Sequence, residues 1–265
     1  MRKLGVLVAL AIVGTLFGIA PAGAQSTPEV TAFCEAALTA DKAVANVLTG
    51  GIRPKQKDVQ AAEAALSQAE STAPPEVAST MQAVVAGVRT AFEAQQNPFD
   101  ADPSFEQTFN TLQEYRYNSC GYRQLDVTGV EYAFEGLPKT LPPGPVAIRF
   151  TDTGAEWHEL RIARIKTKDA LKKVLGMSEK EQAKKIEQTG ATFARQGQTS
   201  YTIADLSKPG RYGVVCFVPV GSTSEEALAE AEKEHAKEHW QEGMIATIRV
   251  ERSATTTSAA TNPDR

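Results

Sequence analysis

Along residues 28–122 apolar side chains return every three or four positions. Val30, Phe33, Ala37 and Leu38 open one stripe, which Val44, Val47 and Leu48 continue. Val59, Ala62, Leu66 and Ala69 form a second, and Val77, Met81, Val84, Val85, Val88 and Phe92 form a third after Pro74-Pro75. Phe105, Phe109 and Leu112 form a fourth, opened by Asp102-Pro103 as helix cap and first-turn proline. Spacing of this kind places each stripe on one face of an α-helix. Four such helices with short breaks predict an antiparallel helical bundle over residues 28–122.

From residue 126 the period falls to two. Val130, Tyr132 and Phe134 alternate with polar or small neighbours, as do Val146, Ile148 and Phe150, then His158, Leu160 and Ile162. Residues 199–206 and 211–218 read as two strands around Lys208-Pro209-Gly210, and Met244, Ala246, Ile248 and Val250 form a last inward row. Turn-rich breaks such as Leu141-Pro142-Pro143-Gly144 separate the runs. The pattern predicts a β-sandwich domain over residues 126–251. Charged stretches near 167–188 and 224–241 predict helices inserted into it. The whole is therefore an α+β chain of two domains. A Ser/Thr/Ala-rich tail over 252–265 predicts disorder.

The N-terminus adds an address. Arg2 and Lys3 precede an uncharged apolar run, Leu4 to Ala20, and Ala22-Gly23-Ala24 has the small-x-small pattern of a cleavage site. Residues 1–24 therefore read as a signal peptide, with a secreted or extracytoplasmic mature chain and no transmembrane segment after removal. The 265 residues carry a net charge of −4, which argues against nucleic acid as a partner. Three cysteines in an exported protein leave one unpaired. Cys34 and Cys120 bracket the helical part and are the expected disulfide. Cys216 is then alone among the strands.

All three histidines, His158, His235 and His239, also fall in the second part. In chain order there is a His at the start of one strand, a Cys at the end of another, and then His239-x4-Met244 opening the last strand. Two imidazoles, one thiolate and one thioether suit copper, with the thiolate holding Cu(I) and the imidazoles accepting Cu(II). Core packing alone accounts for each of these residues singly, Met244 as an inward side chain and Cys216 as a buried thiol. His235 and His239, four apart on the charged helix, form an alternative metal pair with Glu232 or Glu242. No Gly-x-Ser-x-Gly or His-Glu-x-x-His motif occurs. Hydrolysis therefore has no support, and the chain is at most a redox carrier.

Three segments of residues 126–251 resemble the cupredoxins, the blue-copper family of plastocyanin and azurin. Phe150 to Leu160, containing Asp152-Thr153-Gly154 and then His158, is similar to the segment in which an Asn-x-Gly turn precedes the first copper histidine. Pro209 to Pro219 is similar to the strand that delivers the cysteine. His239 to Met244, running into Ile245-Ala246-Thr247-Ile248-Arg249-Val250, resembles the second histidine, the Gly-Met pair and the closing strand. Val130 through Gly144 looks like the opening hairpin of exported bacterial members. The resemblance implies a Greek-key sandwich and one copper ion held by His158, Cys216, His239 and Met244. It also implies electron transfer or copper handling with a redox or copper-donor protein partner. The other reading it leaves is a metal-free extracellular binding or structural module on the same fold. In the family the second histidine closely follows the cysteine, whereas 22 residues lie between Cys216 and His239 here.

Overall fold

A computed structural model describes residues 27–48, 55–102 and 104–252. The expected signal peptide, Pro103 and the tail from Ser253 onward lie outside the described residues.

The four apolar stripes become helices α1 (Pro28–Leu48), α2 (Gln56–Thr72) and α3 (Ala78–Ala94), with a short α4 (Pro98–Ala101) before α5 (Phe105–Ser119). The sequence pattern does not announce α4, whose four residues follow the cap Asn97, its side chain accepting from the Phe99 N–H. Nor does Asp102 cap the first turn of α5. Its carboxylate accepts from the Ser104 N–H at 2.8 Å, one residue outside the helix. The stripe residues Phe33, Leu66, Met81, Val84, Val88 and Leu112 are buried in one core. Each contributes about 1.5–3 kcal/mol of apolar burial. Cys34 and Cys120 form the expected disulfide, with Cα atoms 5.7 Å apart across a separation of 86 residues. Closing so long a loop is worth roughly 4 kcal/mol in chain-entropy reasoning.

The remaining chain forms β1 (Arg123–Val130), β2 (Ala133–Glu135), β3 (Thr140–Leu141), β4 (Pro145–Asp152) and β5 (His158–Ile165). After these come α6 (Leu171–Leu175), α7 (Glu179–Lys185), β6 (Ile186–Ala194), β7 (Thr199–Asp205) and β8 (Gly210–Val215). The last elements are α8 (Glu225–Lys233), α9 (His239–Glu242) and β9 (Ile245–Val250). One sheet has the order β2-β1-β4-β7 and the other β3-β9-β8-β5-β6. β1 runs parallel to β4, with Arg123 opposite Val146 and Gly129 opposite Asp152. β5 lies between β6 and β8, antiparallel to both. The sheets meet face to face. Val146, Ile148 and Phe150 from one pack with Leu160, Ile162, Val214 and Ile248 from the other. The chain is thus a mixed helix-and-sheet structure.

Three local expectations change. The alternation through Val130, Tyr132 and Phe134 is not one strand but a hairpin, because the chain turns at Glu131-Tyr132 and Val130 pairs with Ala133. The stretch 167–188 is not one helix. It breaks at Gly176-Met177-Ser178, where Ser178 and Glu181 form a capping box for α7, and Ile186 already begins a strand. The charged helix near 224–241 ends at Lys233, since His235 adopts a left-handed φ of 53°.

Helix α5 lies on the outer face of the four-stranded sheet, where Tyr117, Ala147 and Ile203 are buried together. Polar contacts fix this seam. The Asn110 carbonyl accepts from the Tyr201 N–H at 2.8 Å, and Arg195 reaches Glu106 at 2.8 Å.

Candidate metal centre

His158 is the first residue of β5, Cys216 follows β8, His239 opens α9 and Met244 precedes β9. Parity explains the first two, because their strands neighbour each other in the sheet. The 22-residue connection between Cys216 and His239 is closed by its own ladder. Val220 N–H donates to Lys237 O at 2.8 Å, and His239 N–H donates to Val218 O at 2.9 Å. Trp240 N–H donates to Cys216 O and Cys216 N–H to Met244 O. The insertion therefore carries α8 on its tip and leaves its ends held at the site. Gly243, with φ +130°, turns the chain from α9 into β9. His239, Met244 and Cys216 are all fully buried.

Among the described residues, His158, Cys216 and His239 form one group whose donor atoms all lie within 4.8 Å of one another. The His158 Nδ1 and His239 Nδ1 atoms are 3.0 Å apart, and Cys216 Sγ is 3.4 Å from His239 Nδ1. Two nitrogens and a sulfur sharing one first-row ion at roughly 2.0 and 2.3 Å stand about 3.3 Å (N to N) and 3.5 Å (N to S) apart at a tetrahedral angle. The group is close to that size. Met244 packs against Cys216 and Val218 in the same buried cluster.

The far sides of both rings face carboxylates. His239 Nε2 is 2.9 Å from Glu156 Oε2, and His158 Nε2 is 3.4 Å from Glu131 Oε1 and 3.9 Å from Asp152 Oδ1. A carboxylate selects the Nε2–H tautomer, which leaves the lone pair on Nδ1. Glu156 does this for His239 at hydrogen-bond distance, whereas Glu131 only stands near His158 Nε2, which has no hydrogen-bond partner among the described residues. The two Nδ1 atoms stand 3.0 Å apart beside the sulfur, and with both rings as Nε2–H tautomers their lone pairs would meet there. Moving a proton onto one Nδ1 bares the opposite Nε2 to a carboxylate. A cation between the Nδ1 atoms resolves both contacts at once, so the residues fit a bound metal.

Titration agrees with that. Burial, and then the neighbouring His239, lowers His158 to about 4, and burial likewise lowers His239. Both rings are neutral donors at pH 7. Burial pushes the metal-free Cys216 thiol up to about 12. Its sulfur accepts from the Glu159 N–H at 3.4 Å. Burial raises Asp152 to about 6. In Glu156 burial acts upward too, but hydrogen bonds from the Gly221 N–H, His239 and the Tyr132 hydroxyl outweigh it and hold the carboxyl low.

Three surrounding residues escaped sequence reasoning. Glu156 binds His239, Tyr132 and the Gly221 N–H. Glu131 accepts from the Glu156 N–H at 2.7 Å while facing His158. Glu159 accepts from the Phe217 N–H at 2.9 Å, next to Cys216. The one available signal was the run Glu156-Trp157-His158-Glu159, with carboxylates flanking a candidate ligand. Gly154 lets the Asp152–Gly154 turn cross the site. A Cβ there would lie 2.3 Å from Glu131 Oε1 and 2.7 Å from His158 Nε2. The alternative His235/His239 pair does not form. His235 is exposed beyond the end of α8, and the two residues share no helix.

No family model and no curated protein matches this sequence. Several solved structures match about half of it. Auracyanin B is 15% identical, covers 49% of this chain and 88% of its own, and has a TM-score of 0.33. Auracyanin A, described as a "blue" copper protein of Chloroflexus aurantiacus, is 16% identical, with 49% of this chain and 100% of its own covered and a TM-score of 0.32. McoA multicopper oxidase of Aquifex aeolicus is 17% identical over 51% of this chain and 30% of its own, with a TM-score of 0.29. These structures are what about half of the chain is similar to; the two-sheet part of the chain carries the His–Cys–His group.

Proposed function

We propose that this region holds one copper ion and that the protein is an exported electron carrier or copper-handling protein. His158 Nδ1, His239 Nδ1 and Cys216 Sγ would be the strong donors, with Met244 as the weak thioether. The observation that carries the reading is the pair of opposed Nδ1 atoms, 3.0 Å apart and each backed by a carboxylate. Two imidazoles, a thiolate and a thioether are the donor set of blue copper, and bound copper supplies a one-electron couple. The protein residues do the remaining work. Glu156 holds the His239 tautomer, Glu131 faces His158 Nε2 at 3.4 Å, and the Glu159 N–H steadies the sulfur. Burial keeps the donors out of water.

The Cys34–Cys120 disulfide supports export, because such bonds persist in oxidising compartments. No helix of the described residues is long and apolar enough to cross a membrane. In this reading residues 28–122 form a separate helical domain that positions the copper domain or docks a redox or copper-donor protein.

The test is a visible absorption spectrum after one equivalent of Cu(II), beside a Cys216→Ser control. An intense thiolate-to-copper band that vanishes in the control is the expected result. No band and no bound copper by elemental analysis would overturn copper binding. Bound copper without the band would overturn thiolate ligation.

A further inference from the structure

The turn between β1 and β2 places two consecutive residues beside the two histidines. Glu131 Oε1 faces His158 Nε2 at 3.4 Å. The Tyr132 ring lies 4.8 Å from the His239 ring, tilted by 56°. Both residues also hold Glu156. Glu131 Oε1 accepts from the Glu156 N–H at 2.7 Å, and the Tyr132 hydroxyl donates to Glu156 Oε1 at 3.0 Å. One turn thus clamps Glu156 by its backbone and by its carboxylate.

The clamp sets where that carboxylate points. Its other oxygen, Oε2, meets His239 Nε2 at 2.9 Å and accepts from the Gly221 N–H of the insertion. With Tyr132 on Oε1 and Gly221 on Oε2, the carboxylate cannot swing off His239 without losing a donor. His239 is fully buried, whereas the Glu156 side chain is 14% exposed and Tyr132 is half-buried. These two side chains therefore close the Nε2 edge of the imidazole. An ionised carboxylate only accepts, so the proton of His239 stays on Nε2 and its lone pair on Nδ1.

We propose that Tyr132 is a positioning residue whose hydroxyl, through Glu156, fixes His239 as the Nε2–H tautomer with Nδ1 free to take an ion. The ring also packs beside Cys216 and Met244, a role that does not need the hydroxyl. The consequence for copper rests on the copper reading. A negative charge held behind a ligand stabilises a doubly charged ion more than a singly charged one, so Tyr132 biases the site towards Cu(II).

Tyr132→Phe removes the hydroxyl and keeps the ring. Nitrogen NMR of the metal-free full chain, labelled at histidine, reads the His239 tautomer. The unaltered chain should show Nε2–H alone, and Tyr132→Phe should show the Nδ1–H form beside it. In chelator competition Tyr132→Phe should hold Cu(II) roughly tenfold less tightly, with Cu(I) affinity changed less than twofold. That change of ratio raises the reduction potential by about 59 mV. In a Glu156→Gln background Tyr132→Phe should add nothing further, because the hydroxyl acts through that carboxylate. Nδ1–H at His239 in the unaltered chain, an unaltered tautomer in Tyr132→Phe, equal losses for Cu(II) and Cu(I), or additive effects in the double variant would each overturn the proposal. A chain that binds no copper would overturn the copper reading instead, and the metal-free tautomer would still decide the role of Tyr132.

Discussion

At one end of the two sheets, His158, His239 and Cys216 bring the lone pairs of their donor atoms together. Under the helices, Arg116 holds N–H groups, at Nε and Nη2, without an acceptor among the described residues. Both centres are fully buried, yet their surroundings differ. The lone-pair centre is wrapped in carboxylates, Glu131, Asp152 and Glu156, which are right for supporting a positive ion and wrong for anything else. The N–H centre is closed to solvent, with the carboxylate of Asp41 on Nη1. A buried polar group unsatisfied by its own chain specifies its ligand by the sign and geometry of what is missing. The two-sheet region asks for a cation, whereas the guanidinium in the helical region is sealed from solvent and held by Asp41 and Gln113.

Several perturbations separate the two regions. The largest concerns the helices alone. Replacing Cys34 and Cys120 by alanine removes the long-loop crosslink and should cost roughly 4 kcal/mol, lowering the melting temperature by about 10 °C. The visible spectrum of the copper-loaded chain should stay unchanged. A spectrum that changes with it would show that the regions are coupled.

Asp41→Ala strips Arg116 of its one carboxylate. Breaking a buried pair costs about 3–5 kcal/mol, and the partial exposure of Asp41 puts the expected loss near 3 kcal/mol. Denaturant unfolding measures it. A loss below about 0.5 kcal/mol would mean that Arg116 is satisfied by other means.

Glu156→Gln tests the lone-pair centre. Losing the carboxylate behind His239 should weaken copper affinity by roughly 10- to 100-fold, with little change in the fold. Competition against a chelator of known affinity reads this directly, and an unchanged affinity would remove Glu156 from the tautomer argument.

The mildest test is pH. The metal-free thiol is protonated far above neutrality, with a pKa of about 12, so copper uptake releases its proton. Apparent affinity should therefore rise about tenfold per pH unit between pH 6 and 8. His158, lowered to about 4, does not compete for protons in that window. The metal-free chain should also lose stability as pH falls from about 6.5 to 4, because the unfolded histidine takes up a proton before the folded one does. Asp152, raised to about 6, opposes this by binding its proton more readily in the fold. Asp152→Asn should therefore steepen the loss, as read by thermal melts across that range.

The periodicity of Phe33, Leu66, Met81, Val88 and Leu112 by itself determined four helices and their buried faces, since helical spacing is a local property. The alternation of Val146, Ile148 and Phe150 likewise determined a strand and its inward side. The types and order of His158, Cys216, His239 and Met244 were legible as a copper donor set. Local patterns failed where a turn interrupts them. Tyr132 kept strand parity through a hairpin, and His235 kept helical spacing past the point where α8 ends. Only the tertiary structure decided which donors meet. His158 and His239 are 81 residues apart, and the ladder that folds the Cys216–His239 insertion back on itself involves contacts that no local period encodes. It also decided that Glu156 stands behind His239, and that Arg116 in α5 is buried against Asp41 and Gln113. Periodicity records which face of an element avoids water, whereas the partner of a buried polar atom is set by where distant elements come to rest.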